Sequence, residues 1–148
     1  MNRVEILVPL IVGSGVVACT IVIHGAALVN NVRFNARRLG RVSTGFWTDL
    51  SIVVTSVTIA LVAHLISIGV WASLFVLIGE FQAWGTAFYH SATNYTSLGY
   101  GDIVMSPAWK ILGPVEATVG MLMFGVSTAM LFAVMQRLVL ARFPELRA

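Results

Sequence analysis

The sequence is poor in the residues that soluble proteins use for solubility and for chemistry. Only 10% of its 148 residues are charged, against about 25% in an ordinary soluble domain, and 58% are hydrophobic. A single cysteine, Cys19, excludes a disulfide framework within the chain, and its apolar neighbours indicate a small residue on a helix. The few histidines and acids form no metal-ligand cluster, phosphate loop or nucleophile motif. We therefore expect neither an enzyme nor a resident cofactor.

Long apolar segments occupy most of the chain and predict an all-α membrane protein with three transmembrane helices. A helix needs about 20 apolar residues to cross the hydrocarbon core of a bilayer. Three segments meet this requirement, at about residues 6–29, 49–79 and 108–140. Thr48 and Asp49 are both suitable N-caps for the second helix. We divide the chain into residues 1–45, with the first helix and a polar connector, and residues 46–148.

The basic residues are distributed unequally between the two sides of these spans. Loops rich in lysine and arginine stay on the cytoplasmic side of a membrane. Only Arg3 and Lys110 fall on one side, and the others fall on the opposite side: Arg33, Arg37, Arg38, Arg41, Arg137, Arg142 and Arg147. This predicts three spans with the N-terminus outside and the C-terminus in the cytoplasm. The connector arginines are expected to contact anionic lipid headgroups, and no nucleic-acid partner is expected.

Between the second and third spans lies a segment that cannot cross the membrane. Residues 83–96 are too few and too polar to span it but are rich in aromatics, which indicates a helix that enters the bilayer and stops halfway. The segment that follows is glycine-rich, and irregular backbone at membrane depth survives only when it is buried in protein or lines a watery path. Gly99 and Gly101 allow dihedral angles that turn successive carbonyl oxygens toward a dehydrated cation.

The stretch from Thr96 to Asp102, TSLGYGD, resembles the filter signature of potassium channels, T-V-G-Y-G followed by Asp. Gly99, Tyr100 and Gly101 are identical to the signature, whereas Ser97 replaces threonine and Leu98 replaces valine. The resemblance to the potassium channel pore family covers about residues 49–140. It implies an outer helix (49–79), a pore helix (83–96), a filter (97–102) and an inner helix (108–140), with K⁺ bound by the carbonyls of residues 97–101 and by the Ser97 hydroxyl.

One filter segment cannot enclose an ion, and the sequence contains no repeat that would supply a second. Closed cyclic symmetry with four copies would provide rings of four carbonyls, so we expect a homotetramer with the third span lining the pore. The first span is then expected to be peripheral. No span carries arginine or lysine at every third position, so a voltage sensor is not expected, and too few residues follow the last helix for a cytoplasmic ligand-binding domain.

The resemblance, to a small bacterial-type member of the family, implies a protein of the bacterial inner membrane. Passive potassium conduction is the expected function, with two alternatives. Ser97 and Leu98 depart from the signature, which leaves a weakly selective cation pore open. The extra first span and the lack of a gating domain leave open a non-conducting accessory or sensor subunit with a channel-like fold.

Several residues near the signature are candidates for supporting the filter. Asn94 and Thr96 occupy a segment that reads T-x-T-T in many potassium channels. Tyr89 and His90 either pack on the pore helix or form hydrogen bonds near Asp102, since buried polar groups need partners.

Polar and small residues within the spans form a second group of candidates. Glu116 either hydrogen-bonds to the pore helix or acts in gating or proton sensing, because a carboxylate within a span is costly without a partner. Gly120, together with Gly125, provides either close helix packing or a hinge. Gln136 is a candidate for a narrow gate at the cytoplasmic end. His24 and His64 are expected to hydrogen-bond to neighbouring helices, not to bind a metal.

Overall fold

The computed structural model describes residues 3–39, 45–143 and 145, and side chains in the first helix from residue 6 to residue 37. These residues form four helices and no strand: α1 (Arg3–Leu39), α2 (Phe46–Leu77), α3 (Trp84–Tyr95) and α4 (Leu112–Arg142). Helices α1, α2 and α4 are long and apolar enough to cross a membrane, which makes the chain an integral membrane protein. Helix α3, with 12 residues, is about 18 Å long and too short to cross.

The two ends of this helix bundle differ, and we name them by what they carry. The loop end carries residues 78–83 and the segment 96–111, between α3 and α4. The arginine end carries Arg37 at the end of α1 and Arg142 at the end of α4.

Helix α1 is longer than predicted, because residues 30–39 continue the helix instead of forming a connector. The polar residues of this part form hydrogen bonds from a helical backbone, although Asn31 Nδ2 and Asn35 Oδ1 are buried without a partner. Asn35 Nδ2 donates to Asn31 Oδ1 one turn earlier (2.6 Å) and to Ser56 Oγ on α2 (3.3 Å). Arg38 is therefore helical, whereas Arg41 lies outside the described residues.

The start of α2 also differs from the prediction. The helix begins at Phe46 with Gly45 as N-cap and has no side-chain cap, so the prediction of Thr48 or Asp49 as cap is wrong. The Asp49 carboxylate lies in the first turn, where an acid is favoured by the helix dipole. It accepts a hydrogen bond from Arg142 Nη1 at 3.3 Å, which joins the arginine ends of α2 and α4.

Helix α4 begins at Leu112, four residues later than predicted, which places Pro114 in its first turn. Proline lacks an amide hydrogen and its ring collides with the preceding turn, so it is accommodated most readily in the first turn of a helix. Pro9 in the second turn of α1 shows that a later position is less favourable but not excluded. A helix starting at 108 would place Pro114 in its second turn. The chain instead makes a separate turn, in which the amides of Trp109 and Lys110 both donate to the Ser106 carbonyl.

The first helix is not set apart from the others. Helix α1 packs against both α2 and α4, and a Cβ built on Gly13 would lie 2.8 Å from Leu112 Cδ2. The largest core cluster includes Trp71 and Phe75 of α2 and Tyr95 of α3, all fully buried, and the Phe75 ring lies 5.5 Å from the His90 ring of α3. This aromatic core holds α3 in place between α2 and α4.

Candidate functional site

The glycine-rich loop, residues 97–102, is attached to the last turn of α3 by backbone hydrogen bonds. The Ser97 amide donates to the Asn94 carbonyl (2.8 Å), and the Gly99 amide donates to the Thr93 carbonyl (3.1 Å). These bonds fold the loop back against the helix that precedes it. The position of the loop is therefore set by the position of α3.

The backbone of this loop alternates between left-handed residues and residues of ordinary φ. The φ angles are +59° at Ser97, +57° at Gly99 and +73° at Gly101, whereas Leu98 and Tyr100 between them have no positive φ. Glycine adopts positive φ without strain, and serine does so at a cost of about 1–3 kcal/mol. Such an alternation turns successive peptide planes so that their carbonyl oxygens can face the same side, which suits a row of cation ligands.

One side of the loop is open in the single chain. All residues from Thr96 to Asp102 are exposed, and the Leu98 and Tyr100 side chains are 56% and 69% exposed. A cavity of about 700 Å³ lies between the loop and the start of α4 and extends to Met121. The chain alone therefore neither covers these side chains nor encloses an ion.

Two side chains of α3 hold the segment that leaves the loop. The Tyr89 hydroxyl donates to Asp102 Oδ2 at 2.9 Å, and this bond raises the pKa of Tyr89. His90 Nδ1 donates to the Ile103 carbonyl at 3.1 Å, and its Nε2 then accepts from Asn94 Nδ2 at 2.9 Å. Burial lowers the pKa of His90, and the hydrogen bond to the Ile103 carbonyl partly offsets this effect by raising the pKa. The predicted hydrogen bonds near Asp102 are thus present.

His90 also packs among aromatic rings, so the two alternatives for this residue coexist. Its ring centroid lies 5.5 Å from that of Phe75 and 4.9 Å from that of Phe81. The neutral tautomer with hydrogen on Nδ1 satisfies both ring nitrogens. A neutral His90 is therefore built into the contact between α2, α3 and the loop.

Glu116 makes the hydrogen bond to α3 that the sequence predicts. Its side chain is fully buried, and its Oε1 is hydrogen-bonded to the Ser91 hydroxyl. Ser91 Oγ also lies 2.9 Å from the Ile68 carbonyl, which can only accept. Because a hydroxyl has one hydrogen, both bonds form together only when Glu116 is protonated and donates to Ser91. We therefore interpret Glu116 as a neutral acid that joins α4 to α3.

Gly120 permits a close backbone contact between α4 and the end of α3. A Cβ at this position would lie 2.0 Å from the Tyr95 carbonyl oxygen. Helix α4 continues without interruption through Gly120, so the structure supports close packing at this glycine. A Cβ on Gly125 would meet nothing within 4 Å, and Gln136 is exposed. A hinge at either glycine and a gate at Gln136 stay predictions.

A chain of buried hydrogen bonds joins α1 to the base of this site. His24 Nδ1 donates to the Thr20 carbonyl (3.0 Å), which leaves its Nε2 as an acceptor in the neutral ring. His64 Nδ1 donates to that nitrogen (3.2 Å) and also lies 3.3 Å from the Tyr95 hydroxyl. His64 Nε2 then accepts from Ser127 Oγ (3.1 Å). All four helices therefore meet at His64.

The sequence did not predict this series of hydrogen bonds, because each histidine was considered alone. The two residues are 40 positions apart, and neither has another histidine, a cysteine or a carboxylate one turn away on its own helix. One signal was available: each is a lone histidine near the middle of its span, and consecutive spans run antiparallel. Two such residues lie at similar depth and can face each other.

A family model described as "Ion channel" matches residues 59–137, which is more than half of the chain. The chain belongs to this two-transmembrane ion channel family. The match includes most of α2, all of α3 and the glycine-rich loop, and α4 as far as Arg137, whereas α1 lies outside it. Searches of curated proteins and of solved structures gave no match. The protein is thus an ion channel subunit with an additional N-terminal helix.

Proposed function

We propose that this channel subunit conducts potassium passively through a filter formed by the glycine-rich loop. The observation that carries the proposal is the alternation of positive φ at Ser97, Gly99 and Gly101 in a loop attached to a short helix. In this proposal, the carbonyl oxygens of residues 97–101 and the Ser97 hydroxyl replace the hydration shell of K⁺. Potassium is the permeant ligand, and no other cofactor is proposed.

The pore is proposed to be a homotetramer, because one loop supplies ligands from one side only. The exposed Leu98 and Tyr100 side chains and the adjacent cavity of about 700 Å³ leave room for a neighbouring copy of the chain. Four copies around one axis give rings of four carbonyls, and closed cyclic symmetry is the usual arrangement of such assemblies.

The carboxyl end of α3 adds a favourable electrostatic contribution. The last carbonyls of a helix carry partial negative charge, and α3 ends at Tyr95, directly before the loop. We propose that α3 is the pore helix and that it stabilises a cation at the loop entrance. The filter would be supported by Asn94 and Thr96 from this helix and by the contacts of Tyr89, His90 and Glu116 described above.

The arginine end is proposed to face the cytoplasm of a bacterial cell. Arg33 and Arg37 of α1 lie at the same end of the bundle as Arg137 and Arg142 of α4. Basic residues flanking spans favour the cytoplasmic side, so the loop would open to the outside.

The test is ion flux through purified protein in liposomes, with potassium, rubidium and sodium compared. Wild-type protein should pass potassium and rubidium much faster than sodium. Gly99→Ala should lose this flux or its selectivity, because alanine is strained at a φ of +57°. Gly15→Ala is the matched control, since a Cβ on this glycine of α1 meets nothing within 4 Å.

Two outcomes would contradict the proposal in different ways. Equal sodium and potassium flux would identify a weakly selective cation pore. Absence of flux for every ion, from protein that is folded and assembled, would identify a non-conducting subunit.

A further inference from the structure

A groove of about 520 Å³ lies between α1 and α2, away from the glycine-rich loop. Its middle is lined by small side chains, among them Ala26, Ala27 and Ala63, and its polar end carries Asn30 and Thr58. Because alanine side chains do not fill the space between the helices, an apolar channel stays open along their surface.

Hydrogen bonds on both sides of the groove fix the separation of the two helices. His24 binds His64 alongside the groove, next in sequence to its lining residues Ile23 and Ala63, and Asn35 binds Ser56 beyond its polar end. The groove is therefore a preformed feature that does not depend on a bound molecule to open it.

Two uncompensated arginines follow the polar end of the groove. Ala26, Asn30, Arg33 and Arg37 have helical spacing, which places them on one face of α1. Rises of 1.5 Å per residue put Arg33 about 5 Å and Arg37 about 10 Å beyond Asn30. Both arginines are exposed, and neither forms an ion pair with any described residue.

None of the described acids forms an ion pair with these two arginines. Asp49, the acid of the first turn of α2, is paired with Arg142. The remaining acids of the spans and their connections lie toward the loop end, where they bind other groups: Glu80, Asp102 and Glu116. Glu145 follows the end of α4 but forms no ion pair with Arg33 or Arg37. The positive charge beyond the polar end of the groove is therefore unpaired among the described residues, and an anionic ligand can balance it.

We propose that the groove binds one anionic phospholipid from the leaflet at the arginine end. One acyl chain lies along the alanines between α1 and α2, and the phosphate lies against Arg33 and Arg37. The guanidinium group forms paired hydrogen bonds to phosphate oxygens, which suits arginine to this role. The order of the site, from apolar groove through Asn30 and Thr58 to arginine, matches the order of groups from acyl chain to headgroup. The proposal does not depend on ion conduction.

Native mass spectrometry of the full-length protein tests this site. The probes are phosphatidylglycerol and phosphatidylcholine with the same acyl chains. Wild-type protein should retain phosphatidylglycerol in preference. Arg33→Gln and Arg37→Gln should each weaken the binding of phosphatidylglycerol about fivefold, and the double variant should weaken it about thirtyfold. These factors are those expected for removing one or two arginines that are attracted to an anionic membrane surface.

Two further variants separate the groove from general charge attraction. Arg142→Gln removes a charge from the same end of the bundle, but its side chain is already paired with Asp49, so lipid binding should not change. Ala26→Phe fills the groove and should abolish retention without altering charge. Ala26→Leu is a milder filling that should weaken binding if the phenylalanine variant does not fold.

Four results would overturn the proposal. One is equal retention of both lipids by wild-type protein. A second is unchanged retention in both Ala26 variants while the arginine variants lose lipid, because that would indicate surface attraction without a groove. A third is displacement of the lipid by inorganic phosphate alone. The fourth is a change in the number of chains per particle in the Ala26 variants, which would show that a second copy covers the groove.

Discussion

Replacing Gly120 with alanine tests the close contact between α4 and the end of α3. The new Cβ would lie 2.0 Å from the Tyr95 carbonyl oxygen and 2.9 Å from its carbonyl carbon. Ordinary van der Waals contact begins at 3.4 Å, so the two backbones must separate by about 1.4 Å, the difference between 3.4 and 2.0 Å. The opposing group is backbone and cannot turn aside as a side chain does. Tyr95 is fully buried, so the strain is expected to reach the loop that follows it.

The expected cost follows from two opposing effects. Overpacking of a core costs about 1–3 kcal/mol, and a clash with backbone belongs at the upper end. Alanine recovers up to about 1 kcal/mol relative to glycine within a helix. A net loss of about 2 kcal/mol corresponds to a fall in melting temperature of about 4–8 °C for a chain of this size.

Thermal unfolding of the purified protein in detergent measures this cost, and liposome flux measures its effect on the loop. Gly125→Ala is the matched control, because it lies on the same helix and its Cβ would meet nothing within 4 Å. It should leave the melting temperature unchanged or raise it. If Gly120→Ala melts with the wild-type protein and keeps the wild-type ratio of potassium to sodium flux, α4 does not approach α3 as closely as the structure indicates.

Four further predictions concern the contacts around the loop. Tyr89→Phe should lower the ratio of potassium to sodium flux without changing the melting temperature, and an unchanged ratio would show that this exposed bond does not support the loop. Glu116→Gln should leave the melting temperature and the pH dependence of flux unchanged, whereas Glu116→Ala should lower the free energy of unfolding by about 2–4 kcal/mol. Loss of the pH dependence in the glutamine variant would instead indicate that Glu116 is a proton sensor. The folded state holds the pKa of His90 below its ordinary 6.5, so the unfolded state binds more protons near that pH. The melting temperature of the wild-type protein should therefore fall as the pH falls below about 6.5, and it should fall less in the His90→Gln variant. His24→Leu and Tyr95→Phe should have non-additive effects on the flux ratio, and additive effects would show that α1 does not reach the loop through His64.

Features that depend on local pattern could be predicted from the sequence. Hydrophobic length identified the three membrane helices, and length together with aromatic content placed α3 at residues 83–96, within one residue of its observed ends at each side. Two helix boundaries differ most from the prediction: the end of α1, where side chains distant in sequence meet, and the start of α4, close to a proline. Residues 30–39 stay helical where Asn35 reaches Ser56 on α2, and the start of α4 at Leu112 places Pro114 in its first turn.

Features that depend on how the helices are arranged could not be predicted in this way. The glycines at 99 and 101 predicted unusual backbone, but nothing in the pattern indicated a positive φ at Ser97. The groove between α1 and α2 requires the facing positions of two helices to be known. Small residues such as Ala26 and Ala63 are equally compatible with tight packing, so only the structure distinguishes a filled contact from an open one.

Tyr95 explains why the added helix is not merely peripheral. This residue ends α3, touches Gly120 of α4 through its carbonyl, and meets His64 of α2 through its hydroxyl. His64 in turn binds His24, which lies on α1 and outside the region that matches the channel family. A shift of α1 along α2 therefore breaks the buried hydrogen bond between His24 and His64. His64 also contacts Tyr95, the last residue of α3 before the loop. Because an unpaired buried polar group costs about 1–3 kcal/mol, the His24–His64 bond opposes such a shift, and we expect substitutions at His24 and Tyr95 to be non-additive for this reason.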